Sequence, residues 1–276
     1  MKLNNNGNED VKQKLTKNQV IIIVAAVVAA IVICGFLIAA MVRGHGSIPD
    51  GASNLWSDLT GQENDGLTDL ERDLKNLEDN GIDIPDLEID FAGLRESTNK
   101  DIYAWIYIPD TEVNYPVLQH RKDDTYYLNH NLDGTEGYPG VIYSESCNST
   151  DFEDLVTVLY GHNMKDGSMF GGLKEFQDKE YFDSHPYIYV YTEDRLLAYE
   201  IVAAYTYTDE HLLKNDDIST PSNYVKYLAD MATNARKNGI WKGGINLQSD
   251  DNMLALSTCV SGQRESRFLI QGKLLQ

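Results

Sequence analysis

The stretch NMLALSTCVSGQRESRFLIQGKLL, residues 252–275, carries the pattern from which the fold of this chain is inferred. Its apolar runs at 253–256 and 268–270 predict two buried strands. The polar segment between them, 260–266, predicts a short loop. Cys259 therefore lies where a strand opens into a loop, a position at which side chains meet solvent and ligands. The alternative is a small buried hydrophobic residue, the usual environment of an unpaired cysteine.

Short β-type segments separated by turns continue upstream from this stretch to about residue 91. They are rich in Tyr, Val and Ile, which are enriched in strands. A domain built largely of short strands predicts a closed barrel or a sandwich. The predicted strands are 104–108, 113–118, 140–143, 155–160, 187–191, 196–208, 253–258 and 267–274.

Two predicted helical segments interrupt these strands. The first is 169–185, and the second is 221–238, with Ser219 or Thr220 as its N-cap. The second helix belongs to a long connection between two strands. Insertions of that kind often frame a functional site.

An apolar segment at 20–42 contains no charged residue. Its length suffices to span a bilayer, and it is longer than the apolar core of a cleaved signal peptide. Four lysines precede it, against Glu9 and Asp10. The positive-inside rule therefore predicts a cytoplasmic N-terminus at 1–19, a transmembrane anchor at 20–42 and export of the remainder. The alternative is a buried core helix, for which this length is unusual.

Residues 43–90 are rich in Asp, Glu, Gly and Asn and predict a stalk that leads into the β-rich domain at 91–276. Leucines recur at helical spacing over 67–77, and Thr68 with Glu71 fits a capping box. We expect this amphipathic helix to pack on the domain that follows it. Binding of a separate partner is the alternative.

The charge of the chain is unevenly divided. Residues 1–43 contain 5 Lys and Arg against 2 Asp and Glu, whereas the remainder contains 18 against 41, a net charge of −23. So acidic a segment argues against nucleic acid and against a polyanionic surface as its partner.

The chain has three cysteines, of which Cys34 falls inside the apolar segment. Cys147 and Cys259 remain for the exported part, far fewer than small disulfide-built domains carry, so the fold must depend on its core. A bond between these two is left open, and we favour an unpaired surface thiol for Cys147. No Cys/His spacing matches a zinc site and no Asp-rich calcium loop is present. The sequence therefore predicts no metal and no other cofactor.

A nucleophilic thiol needs a base or cation that activates it and a donor that stabilises charge on the attacked carbonyl. The candidate base is His162, which follows the predicted strand 155–160 much as Cys259 follows its own strand. Two strands that end at one rim of a small barrel bring such side chains together. Arg267 is the candidate donor because it begins the last predicted strand, with Arg264 as the mid-loop alternative. A structural loop histidine is the alternative for His162.

These residues resemble those of the sortase family. The run LSTC at 256–259 is similar to the family signature T-L-x-T-C, with Ala255 where the leading Thr is usual. The segments YGHNMKDGSMF at 160–170, WIYIPDTEVNYPVLQ at 105–119 and YYLNHN at 126–131 resemble the class B branch in particular. The helix predicted ahead of the Cys-bearing strand resembles that branch as well.

The resemblance implies a mainly β fold. It would be a closed eight-stranded sortase-type barrel with N-terminal helices, an extra helix before the Cys-bearing strand, and one preceding transmembrane helix. The implied activity is that of a cysteine transpeptidase on a Gram-positive cell membrane, with the catalytic domain at 91–276 extracellular. Its partners would be exported proteins that carry a C-terminal sorting pentapeptide, and an acceptor amine from a peptidoglycan precursor or a pilin.

The resemblance also implies roles for single residues. Cys259 would attack a Thr carbonyl of the sorting peptide and form a thioacyl enzyme. His162 would protonate the leaving amine and deprotonate the incoming one. Arg267 would hydrogen-bond the oxyanion or the substrate backbone.

Five further residues are expected in the peptide groove by the same resemblance. Asp124 stands where class B members often have Asn, so we expect it to alter which sorting motif is preferred. The expected groove residues are Tyr160, Ser257, Thr258, Leu128 and Asp124.

Three alternatives remain for the function. A pilin-polymerising sortase would share the three catalytic residues and differ in its acceptor. A surface cysteine protease would need the same residues and would release a hydrolysed product. A non-catalytic surface module would tolerate replacement of Cys259 by Ala.

Overall fold

The computed structural model describes residues 67–215, 218 and 220–275. Leu67–Gln276 forms one compact unit. The apolar segment at 20–42 and the first part of the stalk, 43–66, lie outside the described residues, so the anchor and the stalk boundary stay predictions. Within the part of the chain that the structure describes, no helix combines the length and the apolar character needed to cross a membrane.

The described chain alternates short strands with a few helices. The helices are α1 (Asp69–Asp79), α2 (Phe91–Ser97), α3 (Lys179–Ser184), α4 (Leu212–Asn215) and α5 (Pro221–Asn238), with 3₁₀ turns at Tyr126–Leu128 and Gly171–Gln177. The strands are β1 (Ile102–Tyr107), β2 (Asn114–Leu118), β3 (Ile142–Tyr143), β4 (Val156–Tyr160), β5 (Tyr187–Tyr191), β6 (Leu196–Thr208), β7 (Gly239–Trp241), β8 (Met253–Val260) and β9 (Gln263–Leu274).

Eight of these strands close a mixed barrel. Their order is β5-β1-β2-β3-β4-β8-β9-β6, and β6 pairs back onto β5. The pairs β2–β3 and β4–β8 are parallel, whereas the other pairs in the ring are antiparallel. The prediction of a closed eight-stranded barrel is confirmed. A ninth strand, β7, lies beyond the ring and pairs with β6, and the sequence interpretation missed it.

The last two strands are longer than predicted. β8 runs to Val260 and β9 begins at Gln263, so the expected loop at 260–266 is a tight turn at Ser261 and Gly262. Gly262 has φ +78°, a left-handed angle that glycine adopts without strain. The polar residues after it, predicted as loop, belong to β9, in which Gln263 pairs with Val260 and Ser266 pairs with Thr208 at the end of β6.

The helices differ from the sequence interpretation in two places. The segment at 169–185 is not one helix, because Asp178 accepts a bond from Tyr181 N and begins α3 after the 3₁₀ turn Gly171–Gln177. The start of the domain, interpreted as β-type from Phe91, is the helix α2. The helix predicted at 221–238 is confirmed, with Thr220 as its N-cap.

Strand alternation separates the barrel interior from the face that α5 covers. On β8, Leu254 and Leu256 join a core cluster with members from all eight ring strands, so they face the interior. Met253 and Ala255 instead contact the cluster that includes Tyr224 and other residues of α5. With a period of two, Ser257 and Cys259 continue on the α5-covered face.

The helix α1 packs on the barrel as expected. Thr68 and Glu71 form the predicted capping box. Leu77 is 2 % exposed and joins a core cluster with residues of β5 and β6. Asp73 accepts two bonds from Arg195, Nε at 2.6 Å and Nη2 at 3.1 Å, and a third from the backbone of Leu196. Residues 67–90 therefore fold with the barrel.

Candidate active site

Three neighbouring strands bring the predicted catalytic residues to one rim of the barrel. In the parallel pair β4–β8, Tyr160 is in register with Ser257. His162 and Cys259 each lie two residues further along, so both side chains continue on the same face of the sheet. In the antiparallel pair β8–β9, Cys259 is directly opposite Arg267. The thiol thus lies between a histidine on one side and an arginine on the other.

These residues line one open cavity of about 500 Å³. Its walls come from the ends of β4, β6, β8 and β9 and from the loops that follow β2 and β6. Of the residues predicted from the sequence, it includes Cys259, His162, Arg267, Tyr160, Ser257, Thr258 and Leu128.

The imidazole of His162 is held by a backbone carbonyl. Its Nε2 lies 2.7 Å from the carbonyl oxygen of Leu128. Because a carbonyl can only accept, Nε2 carries a proton in every state that keeps this bond, and Nδ1 is left as the nitrogen that exchanges protons. The ring of Tyr138 lies 4.9 Å from the imidazole, between ring centroids, and a Cβ added at Gly140 would lie 3.3 Å from Cδ2 of His162. Sequence reasoning chose Leu128 for its side chain and missed its carbonyl.

Cys259 is an exposed free thiol whose backbone is fixed by neighbours. Asn163 Nδ2 donates to the Cys259 carbonyl at 2.7 Å, and Thr258 Oγ1 donates to the Gly161 carbonyl at 2.7 Å. Both bonds join β8 to the segment that carries His162. The sequence interpretation missed Asn163, although it directly follows His162.

Arg267 has its guanidinium anchored to its own strand. Nη1 donates to the carbonyls of Arg264 and Ser266, each at 3.0 Å. Arg264 itself is exposed and lies outside the cavity lining, whereas Arg267 is half-buried within it. The structure therefore favours Arg267 over Arg264 as the cation next to the thiol.

Comparison with known proteins agrees with this geometry. The sortase domain family model matches residues 106–275. Sortase B of Listeria monocytogenes is 34 % identical over 184 residues, which cover 65 % of this chain and 72 % of that protein. The crystal structure of sortase B from B. anthracis in complex with AAEK1 is 32 % identical, with a TM-score of 0.59, and the match covers 67 % of this chain and 84 % of that one. The X-ray structure of Clostridium perfringens sortase B is 28 % identical, with a TM-score of 0.60, and the match covers 67 % of this chain and 99 % of that one.

The chain belongs to the sortase family, class B. It is therefore a cysteine transpeptidase.

The groove of this sortase has an aromatic wall. The rings of Tyr143 and Tyr160 stack with centroids 5.4 Å apart. Burial raises the pKa of both phenols far above the usual value, and the carboxylate of Glu145 raises each pKa further. Both side chains are thus neutral hydroxyl groups at working pH, able to donate and accept hydrogen bonds along a bound peptide.

Asp124, predicted as a groove residue, forms a hydrogen bond that supports a loop of the sortase. Its carboxylate accepts from the Ser146 backbone N–H at 2.8 Å, and it is not among the residues that line the cavity. This hydrogen bond lowers the pKa of the Asp124 carboxyl below its usual value. Direct contact of Asp124 with substrate stays a prediction.

A second cluster of reactive side chains has two members, Glu145 and His211, in the lining of the same cavity. Donor atoms of Glu145, Cys147 and His211 are all within 4.8 Å of one another. His211 Nε2 is 2.6 Å from Glu145 Oε2, and its Nδ1 accepts from the Lys214 backbone N–H at 3.2 Å. Cys147 is an exposed free thiol, so no bond joins it to Cys259. Sequence spacing offered no signal for this cluster, since 66 residues separate Glu145 from His211.

Proposed function

We propose that this sortase cleaves a C-terminal sorting pentapeptide of exported proteins and joins the new carboxyl end to a cell-wall amine. The observation that carries the proposal is the register of β4, β8 and β9, which supports His162 and Arg267 as the two neighbours of Cys259 at the rim of one cavity. A thiol with a proton carrier on one side and a cation on the other is suited to acyl transfer through a thioester.

In the first half-reaction, the Cys259 thiol passes its proton to His162 Nδ1, the resulting thiolate attacks the scissile carbonyl, and a tetrahedral oxyanion forms. Arg267 donates hydrogen bonds to that oxyanion or to the adjoining substrate backbone. His162 Nδ1 gives its proton to the leaving amine as the C–N bond breaks, while Nε2 keeps its bond to the Leu128 carbonyl. The products are a thioacyl enzyme and a free amine.

In the second half-reaction, an acceptor amine attacks the thioester carbonyl. His162 Nδ1 takes the proton of that amine, and the thiolate of Cys259 leaves as the new amide bond forms. A hydrolytic enzyme would follow the same steps with water as the acceptor. The stacked tyrosines and Leu128 provide the apolar surface that positions the peptide and reduces access of water.

The proposed setting is the outer face of a cell membrane. The uncharged segment at 20–42 supports a single-pass anchor with the N-terminus in the cytoplasm. Substrates and a lipid-linked acceptor held in the same membrane would meet the anchored enzyme in two dimensions, which raises their effective concentration.

The Glu145–Cys147–His211 cluster suggests a second candidate nucleophile, because it too joins a thiol, an imidazole and a carboxylate. Two features disfavour it. Both ring nitrogens of His211 already have partners. Although Cys147 is an exposed residue, partial desolvation of its thiol by neighbouring groups raises the pKa of the thiol, with a further contribution from Glu145, and therefore reduces the thiolate at a given pH. We therefore assign the nucleophile to Cys259.

The proposal is tested by incubating the purified chain with quenched sorting pentapeptides, with and without an amine, and identifying the products by mass. Cys259→Ala, His162→Ala and Arg267→Lys are compared with Cys147→Ala. We expect losses of at least about 1,000-fold for the first two and smaller but clear loss for Arg267→Lys, which keeps the charge but not the planar fork. Cys147→Ala should remain active.

Other outcomes identify the alternatives. Activity that survives Cys259→Ala but not Cys147→Ala would move the nucleophile to the second cluster. A hydrolysed product in the presence of every amine would favour a protease. Transfer to a pilin lysine in preference to a cell-wall amine would favour a polymerising sortase. If the parent protein cleaves no peptide and Cys259→Ala binds a partner as well as the parent does, the non-catalytic module would be favoured.

A further inference from the structure

The cluster of Glu145, Cys147 and His211 has a composition typical of a metal site. It offers one carboxylate, one thiol and one imidazole, with donor atoms within 4.8 Å of one another. Thiolate and imidazole are the ligands that Zn²⁺ and Co²⁺ prefer, and a carboxylate completes several three-residue sites. Glu145 and Cys147 come from the loop after β3, whereas His211 comes from the loop after β6, so the fold creates the cluster.

We propose that these three side chains bind one divalent transition-metal ion of the Zn²⁺ type, with water at its fourth position. In the structure, His211 Nε2 and Glu145 Oε2 are 2.6 Å apart, the separation of a hydrogen bond. A tetrahedral zinc ion between them needs a separation of roughly 3.4 Å, given metal–ligand distances near 2.1 Å. The ion thus takes the place of the proton after a small outward movement of two side chains.

The loop that carries Glu145 and Cys147 is held in place by hydrogen bonds. Asp124 accepts from the backbone N–H of Ser146, the residue between Glu145 and Cys147, at 2.8 Å. The Glu145 side chain is 13 % exposed and that of His211 is 21 % exposed, so both are held by their surroundings. The metal therefore meets two oriented ligands that move only slightly, while the exposed thiol of Cys147 turns towards it.

Metal binding has an identifiable cost at Lys214. Its Nζ lies 3.3 Å from Glu145 Oε2, but the side chain is 61 % exposed and can withdraw into solvent. Its backbone N–H approaches His211 Nδ1 at 3.2 Å. Coordination through Nε2 moves the ring proton to Nδ1. Nδ1 can then no longer accept a hydrogen bond, so the bond from the Lys214 N–H is lost.

The position of the site has a consequence for catalysis, which depends on the proposed function. Glu145 and His211 line the same cavity as Cys259 and His162. Tyr160 stands between the two groups, with its hydroxyl 3.5 Å from His211 Nε2. An ion at this point narrows the groove and reduces transpeptidation without contact with the catalytic thiol.

The test adds Co²⁺ or Zn²⁺ to the reduced, metal-free chain in a Cys34→Ala background. Cobalt reports a thiolate ligand through a charge-transfer absorption band and reports tetrahedral geometry through its visible bands. The Cys259→Ala variant, which retains the proposed ligands, should bind one cobalt ion with both signatures. Cys147→Ala should lose the charge-transfer band and bind Zn²⁺ at least about tenfold more weakly. Glu145→Gln should keep the band and weaken binding, and melting curves of each metal-free variant check its fold.

Two results would overturn the site. One is a charge-transfer band that survives Cys147→Ala but disappears in Cys259→Ala, which would place the ion at the catalytic thiol. The other is the absence of stoichiometric cobalt binding by a folded Cys259→Ala protein. These readouts do not depend on turnover, so they stand even if the peptide assay finds no transpeptidation. Where turnover is measured, Zn²⁺ should inhibit the parent more strongly than Cys147→Ala.

Discussion

At the scale of single residues, Gly140 shows how one backbone position controls the proposed catalytic imidazole. Its φ of +69° is left-handed, and a Cβ there would lie 2.9 Å from the Tyr127 carbonyl oxygen and 3.3 Å from Cδ2 of His162. The same Cβ would lie 3.4 Å from the Leu128 carbonyl oxygen that holds the ring. Glycine satisfies both the backbone angle and the limited space.

We expect Gly140→Ala to lower kcat/KM about 10- to 100-fold, because even a small misplacement of a catalytic group is costly. The matched control is Gly134→Ala, where φ is +79° but no atom lies within 4 Å of the added Cβ. Both variants should lose about 1–2 kcal/mol of stability from the left-handed angle. Peptide-cleavage kinetics and melting curves measure the two effects. Equal losses of kcat/KM in both variants would show that the crowding of His162 has no role.

Cys147 permits a prediction about thiol reactivity. The residue is exposed, but partial desolvation of its thiol is the main cause that raises the pKa, and the carboxylates of Glu145 and Asp124 raise the pKa further. A raised pKa leaves less thiolate at neutral pH, so iodoacetamide should modify Cys147 more slowly in the folded protein than in denaturant. Glu145→Gln should speed the reaction, since it removes one negative charge. Peptide mass mapping over time, at pH 7 and pH 9, measures both rates. An unchanged rate in Glu145→Gln would refute the electrostatic contribution.

At the scale of elements, the seam between β4 and β8 aligns the proposed nucleophile, Cys259, with its proposed proton carrier, His162. Thr258 is 4 % exposed, and its hydroxyl donates across the seam to the Gly161 carbonyl. Thr157, on β4 of the same seam, is 1 % exposed, and its hydroxyl has no hydrogen-bond partner among the described residues. Two buried threonines of one strand pair thus differ in whether the hydroxyl is satisfied.

Replacing each threonine by valine, which has nearly the same shape, should give opposite results. Thr258→Val removes one hydrogen bond to the Gly161 carbonyl and should lower the free energy of unfolding by about 1–2 kcal/mol. Because Gly161 directly precedes His162, kcat/KM should also fall several-fold. Thr157→Val removes an unsatisfied buried hydroxyl and should stabilise the protein by about 1 kcal/mol with unchanged kcat/KM. Chemical denaturation and peptide kinetics distinguish them. Destabilisation by Thr157→Val would reveal a partner for that hydroxyl.

Strands with a strong local pattern were predictable from the sequence. The bounds of β5 and β6 agree with the prediction, because their runs of Tyr, Val, Leu and Ala end at clear turn signals. β7 was missed because three residues carry no usable period, and α2 was missed because its seven residues follow no long apolar repeat. Helix and strand cannot be distinguished over such short segments.

The candidate site was predictable to a similar degree. Cys259 and His162 were identified because each follows a strand with a clear pattern. The Leu128 carbonyl, the bond from Asn163 and the cluster around His211 depend on contacts between distant parts of the chain. Such contacts follow from the order of strands in the sheet. No local pattern of residue types encodes them.

At the scale of the whole molecule, β6 connects two regions with different roles. The helix α1 packs against the start of β6. There, Asp73 accepts hydrogen bonds from Arg195, which precedes the strand, and from the backbone N–H of Leu196, its first residue. The last residues of β6, Tyr207 and Thr208, line the catalytic cavity. A thirteen-residue strand places these ends roughly 40 Å apart. The packing of α1 can therefore change stability without a direct effect on the groove.

The pair Leu77→Ala and Leu70→Ala tests this separation, because both are leucine-to-alanine changes on α1. Leu77 is 2 % exposed within a core cluster, whereas Leu70 is 38 % exposed. We expect Leu77→Ala to lower the free energy of unfolding by about 2–4 kcal/mol through the cavity it leaves. Leu70→Ala should change it by less than about 1 kcal/mol.

Both variants should keep the parent kcat/KM at temperatures well below their melting transitions. Because Leu67–Gln276 is one compact unit, the loss in Leu77→Ala should appear as a shift of a single cooperative transition. A separate early transition, with the barrel unchanged, would show that α1 unfolds by itself and belongs to a stalk. A reduced kcat/KM at low temperature would instead show that the packing of α1 is transmitted along β6 to the catalytic rim.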